Sequence, residues 1–120
     1  MAHRIPKKIL IVGAGFAGIY AFFELHKRYH ADKSVSIRLI SATDYFLFTP
    51  LLHEVATGGV SQENVAFNIY SMAPCCLDFT KARVEKIDTA NQSVTTSAGE
   101  FEYDYLIYAL GAGTNFFGLP

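Results

Sequence analysis

Three glycines offer the plainest chemistry in this 120-residue sequence: Gly13, Gly15 and Gly18, in the run G-A-G-F-A-G. The spacing G-x-G-x-x-G, set between a strand and a helix, suits the diphosphate of a dinucleotide. The first glycine permits a tight reversal, the second removes the side chain that would hold a phosphate off the backbone, and the third lets the helix press on the strand. Free N–H groups in the first helical turn, at the positive end of the dipole, then face the phosphates. Ala14, Phe16 and Ala17, which fill the motif, are companion candidates for cofactor binding. The alternative is a glycine-rich turn that only packs the core.

Other residue types that could do chemistry give less. At the end of a second strand, a dinucleotide fold usually places a carboxylate on the adenosine ribose. Ser41 stands there, followed by Ala42 and Thr43, with Asp44 the nearest acid and no arginine to suit a 2′-phosphate. A hydroxyl can still bond the ribose, but charge-assisted hydrogen bonds are about twice as strong, so weaker adenosine binding is expected. His26 and His30 have the spacing of helical zinc ligands, yet no third ligand joins them and Lys27 and Arg28 lie between, so a solvated helix end is expected and no metal site. Adjacent Cys75 and Cys76 match neither a C-x-x-C nor a metal pattern; they read as reduced structural thiols of a cytosolic protein, a vicinal disulfide being the alternative. His53 and Glu54 are neighbours in sequence, and neighbours seldom point the same way, so neither receives a catalytic role. No catalytic residue is assigned.

These residues must be held by elements that the hydropathy pattern outlines. Lys8 to Val12 reads as a short strand, apolar on both faces as in a parallel sheet with helices on each side. From Ala14 onward, Ala17, Gly18, Ala21, Phe22 and Leu25 recur at helical spacing with the smallest side chains first. Val35 to Ile40 alternates and completes a βαβ unit, which makes the fold class α/β and Rossmann-like. Asn64 to Ala73 has a helical or mixed pattern ended by Pro74. From Leu77 to Leu110 the chain reads as a run of strands, with turns at Asp88 to Gln92 and Ser97 to Gly99.

Composition narrows the classes. A formal net charge of -1 with scattered Lys and Arg argues against a nucleic-acid partner. An apolar fraction of 51% is high for a small solvated domain and predicts apolar surface that meets a ligand or a neighbour. Basic residues before the apolar run Ile9 to Phe23 have the look of a secretion signal, but no A-x-A site follows and the run ends in ELHKRYH. The expected location is therefore cytoplasmic.

Three stretches, KILIVGAGFAGIYAFFEL, ISATDYFLFTPLLHEVATGGV and FEYDYLIYALGAGTNFFGLP, resemble in order and spacing the amino-terminal part of type II NADH dehydrogenases. These are flavoproteins of the pyridine nucleotide-disulfide oxidoreductase kind, which pass electrons from NADH through FAD to a quinone. The block F-x-P-L-L-x-x-V-A-T-G is the specific part. The resemblance implies a three-layer FAD/NAD(P)-binding fold, a parallel sheet with a small antiparallel β-meander, incomplete within residues 1–120. It implies FAD, not NAD, at Gly13, Gly15 and Gly18, and it carries Phe48, Thr49, Pro50, Leu51 and Leu52 over as flavin neighbours. Pro50 fixes the chain direction there and biases Thr49 to extended geometry. Val84 would lie near the adenine, and Ala109 and Gly111 would contact the cofactor through the backbone, since Leu110 replaces the threonine of the family's A-T-G. A second domain for NADH is expected beyond this chain, so the chain alone would not carry hydride transfer. Quinone and NADH are implied as partners of the parent protein, and peripheral attachment to the inner face of the cytoplasmic membrane and homo-oligomerisation are left open.

Two rival readings remain at this point. One is a non-catalytic, Rossmann-like nucleotide-sensing module, which the neutral end of the second strand favours. The other is the FAD part of a sulfide:quinone-type oxidoreductase, whose cysteines lie farther along its chain.

Overall fold

The protein is described here by a computed structural model covering residues 4–72, 77–113 and 115–119. In chain order its elements are β1 (Lys7–Val12), α1 (Phe16–Tyr29), β2 (Val35–Ser41), β3 (Tyr45–Leu47), α2 (Leu52–Ala56), β4 (Ala66–Asn68), α3 (Ile69–Met72), β5 (Phe79–Lys81), β6 (Val84–Asp88), β7 (Ser93–Thr96), β8 (Gly99–Glu102) and β9 (Tyr105–Tyr108). Short 3-10 turns occupy Thr49–Leu51 and Gln62–Asn64.

Four strands form a parallel sheet in the order β5-β2-β1-β9. Its register sets Val12 opposite both Ile40 and Tyr108, so three strands end together. Alternation splits the apolar residues of the sheet between its faces. Ile11 and Leu39 pack with Ile19 and Phe22 of α1 and with Phe46 and Ile69. Leu10, Val12 and Ile40 pack with Val94 of the meander β6-β7-β8 and with Tyr103 just after it. Each of the fully buried residues Ile11, Val12, Leu39 and Ile40 contributes about 1.5–3 kcal/mol by leaving water. The sheet thus forms the middle of three layers, with α1 and the β3-β4 hairpin on one face and the meander on the other.

The apolar run Ile9 to Val12 of β1 is therefore explained differently from the expectation of helices on both sides: a helix covers one face and an antiparallel sheet the other. The two meander turns fall where predicted. The Asp88 carboxylate accepts hydrogen bonds from the amides of Ala90 and Asn91, at 3.1 and 3.0 Å, and closes the first. Thr96 Oγ1 donates to the Gly99 carbonyl at 2.8 Å and accepts from the Ala98 amide in the second.

Two sequence expectations are corrected. Residues predicted as one helical or mixed segment divide into a 3-10 turn, the strand β4 and the single-turn α3. β4 pairs antiparallel with β3, setting Phe46 opposite Phe67, because burying Phe46 against α1 stabilises the hairpin more than local propensity resists it. In addition, Phe79–Lys81, read as part of the antiparallel run, joins the parallel sheet beside β2, with Leu39 opposite Phe79. The assignments made for Pro74, Cys75 and Cys76 lie outside the described residues.

Candidate functional site

At the carboxyl ends of β1, β2, β5 and β9 the chain leaves a cleft of about 620 Å3. Its walls are residues 13–16 of the glycine turn, residues 40–43 at the end of β2, Tyr45, Leu47 and Thr49 of the hairpin region, residues 82–84 after β5, and residues 109–111 after β9. Nine sequence-predicted residues meet there: Gly13, Ala14, Gly15, Phe16, Ser41, Thr49, Val84, Ala109 and Gly111. Ala17, Gly18, Pro50 and Leu51 do not line it.

The glycines divide their labour as the motif requires. Gly13 takes φ +103, a left-handed conformation that side chains resist, and a Cβ there would collide with the carbonyl of Ala109. A Cβ on Gly18 would collide with the carbonyl of Gly13, so the absent side chain is what lets α1 lie against the turn. Gly15 is the opposite case: a Cβ on it would meet nothing within 4 Å, and the turn opens onto the cleft there.

Helix α1 starts bare. Its N-cap is Gly15, which makes no side-chain cap, and no acid sits in its first turn. Ile19 donates the first bond of the helix to the Gly15 carbonyl at 3.0 Å, so the amides of Phe16, Ala17 and Gly18 before it have no partner in the helix. The positive end of the dipole is thus directed at the cleft with nothing to offset it. Ala17, though not a wall residue, supplies one of these amides. The Phe16 ring stands at the cleft mouth, edge-on to Phe46 at 5.1 Å and tilted against Phe48 at 5.7 Å.

At the end of β2, Ser41 is 8% exposed and its hydroxyl accepts the Thr43 amide at 3.3 Å. Asp44, the nearest carboxylate, is engaged by Lys81 Nζ at 3.1 Å, and that bond holds its carboxyl below the usual carboxylate range. At the end of β9, the Ala109 amide already donates to the Val12 carbonyl at 2.8 Å. The amide of Ala109 is therefore taken by the sheet, and Gly111, at φ +71 with open space around its Cβ position, follows the end of that strand.

Three further sequence expectations meet the structure. Thr49 lies in a 3-10 turn and not in an extended segment; Pro50 sits within the first two positions of that turn, where its missing N–H costs nothing. His53 and Glu54, expected to point apart, touch at 3.4 Å between Nε2 and Oε1 at the exposed surface of α2, outside the cleft. His26 and His30 stack ring on ring at 5.5 Å, and among the described residues no group of three His, Cys, Asp or Glu could hold a metal.

Sequence reasoning missed Arg83, Thr43, Tyr45 and Leu47 as wall residues. No sequence signal marks Arg83: its place follows once Phe79–Lys81 is a parallel neighbour of β2, which sets Lys81 opposite Ser41.

With this geometry stands a match of residues 7–120 to the pyridine nucleotide-disulphide oxidoreductase family. The chain belongs to that family. A relative, the type II NADH:quinone oxidoreductase of Staphylococcus saprophyticus, is 36% identical over 114 residues, which cover 94% of this chain and 28% of the relative. Among solved structures, the sulfide:quinone oxidoreductase of Aquifex aeolicus superposes with a TM-score of 0.82 at 30% identity, over 92% of this chain and 25% of that one. The structure of NDH2 from Plasmodium falciparum in complex with NADH gives 0.80 at 25% identity, over 94% and 24%. The chain thus spans about a quarter of the length of the proteins it matches. No helix among the described residues is long and apolar enough to cross a membrane.

Proposed function

We propose that this chain is the amino-terminal FAD-binding part of a flavin-dependent NADH:quinone oxidoreductase. One observation carries the reading: the open face of Gly15, joined to an uncapped helix start, lies in the same cleft as the ends of β2, β5 and β9. The residues fit an adenine dinucleotide with a diphosphate.

In this reading the amides of Phe16, Ala17 and Gly18 donate to the diphosphate, which approaches closely because Gly15 has no side chain. The hydroxyls of Ser41 and Thr43 meet the adenosine ribose, and the backbone at Val84 meets the adenine. Gly111 and the segment of Thr49, Pro50 and Leu51 flank the other half of the cofactor, with Phe48 behind them. FAD, when bound, supplies the electron chemistry, and the protein positions it and excludes water. The Phe16, Phe46 and Phe48 cluster serves that exclusion at the cleft mouth.

NADH as donor and quinone as acceptor follow from the names of the type II relatives and belong to the whole protein. Quinones reside in lipid, so the proposal includes peripheral contact with the cytoplasmic membrane. The likeness to a sulfide:quinone oxidoreductase supports the same cofactor with a different donor as the second reading. The test is spectroscopic: the full-length protein, purified, saturated with FAD and desalted, should keep a flavin band that NADH bleaches and a quinone analogue restores. A protein that retains no flavin contradicts the proposal, and a band bleached by sulfide but not by NADH selects the second reading.

A further inference from the structure

Of the residues that line the cleft, Arg83 alone carries a formal charge. We propose that Arg83 is the platform for the adenine ring, its guanidinium stacking on the base and selecting a purine at that end. The inference rests on the dinucleotide reading of the cleft.

The sheet order places Arg83. The diphosphate belongs over the turn after β1, the ribose at the end of β2, and the base one strand farther, where β5 ends. The Ala82 amide donates to the Ser41 carbonyl at 2.8 Å, so Arg83 follows directly on the contact that ties β5 to the end of β2. Its own backbone is clamped from the other side: the Arg83 amide donates to Ser97 Oγ at 3.0 Å, and its carbonyl accepts the Ser97 amide at 2.9 Å. The backbone is fixed while the side chain remains exposed, with no ion pair among the described residues. The Asp44 carboxylate, just past the end of β2, is taken by Lys81 Nζ at 3.1 Å. A carboxylate in place of Ser41 would draw the guanidinium to itself; a serine does not. An unpaired, planar, weakly hydrated cation beside a purine site stacks on the ring face.

The experiment is calorimetry on the wild-type protein and on Arg83→Gln and Arg83→Lys, with FAD, 5′-ADP, 2′,5′-ADP and adenosine as probes. Stacking predicts that Arg83→Gln weakens all four by a similar factor, about fivefold, with little change between low and high salt, and that Lys restores only part of the loss. A loss confined to the phosphate-bearing probes, steep in salt, or largest for 2′,5′-ADP, shows that Arg83 reads charge and overturns the proposal, as does no loss at all. Gly15→Val separates the two levels. If wild type and Gly15→Val bind FAD and 5′-ADP alike, or neither binds, the dinucleotide reading fails, and the platform with it.

Discussion

The two ends of the parallel sheet are built on opposite electrostatic plans. At the amino ends several charges have a protein partner: Lys8 Nζ meets Glu102 at 3.2 Å, Arg38 meets Asp78 at 3.1 Å and lies 4.8 Å over the Phe101 ring, and the Lys8 amide donates to the Asp104 carboxylate at 2.7 Å. A cavity of about 660 Å3 lies there too, but its walls include these self-satisfied groups. At the carboxyl ends the pattern reverses, with bare helix amides, an open glycine and a cation lacking a counter-ion. Cavity size does not tell the two apart. What does is whether the polar groups have been answered by the protein itself, and among the described residues the carboxyl end is where helix amides stand without a partner in the helix.

Substitutions should separate the two plans, and the largest effect belongs to packing under the cleft. Gly18→Val drives a side chain into the Gly13 carbonyl, a backbone atom that cannot yield, and should cost about 3 kcal/mol in urea denaturation. A Cβ at Gly15 meets no protein atom within 4 Å, so Gly15→Val should leave the melting temperature nearly unchanged. Yet it blocks the diphosphate: losing two charge-assisted bonds at about 1.5 kcal/mol each lowers FAD affinity on the order of 100-fold. Asp104→Ala, at the amino end, strips the Lys8 amide of its acceptor and should cost about 1 kcal/mol of stability without changing FAD affinity. A change in FAD affinity there would blur the contrast between the ends.

The smallest expected effect is on pH dependence. The Asn91 amide, then the Asn91 side chain, hold the Asp88 carboxyl below the usual carboxylate range. A depressed carboxyl favours the folded state above that range and gives up its contribution as pH falls through it. Asp88→Asn should therefore flatten the stability profile only in the acid limb, at and below the ordinary aspartate range, and leave neutral pH almost untouched.

How far these features were legible from sequence depended on the length over which each pattern ran. The turn from β1 to α1 spans enough residues for a strand, three spaced glycines and a small-faced helix to agree, and the structure matches it closely. The meander was marked by turn formers at Asp88 to Gln92 and Ser97 to Gly99. The β3-β4 hairpin was not legible, since two strands of three residues separated by a long connection show neither alternation nor turn chemistry. Arg83 was hidden for a related reason: its place beside Ser41 depends on which sheet Phe79–Lys81 joins, and three residues do not declare that. The contact of His53 with Glu54 joins two exposed side chains long enough to reach each other, which spacing rules alone do not anticipate.

The most direct trial of the account is amide hydrogen exchange across residues 13–19, with and without saturating 5′-ADP. The expected result is slowed exchange at Phe16, Ala17 and Gly18, with the amides of Lys7 and Lys8 at the far end of the sheet unchanged. Exchange at those three amides that is indifferent to the nucleotide, or already slow without it, would contradict the claim that they are kept free to hold a diphosphate.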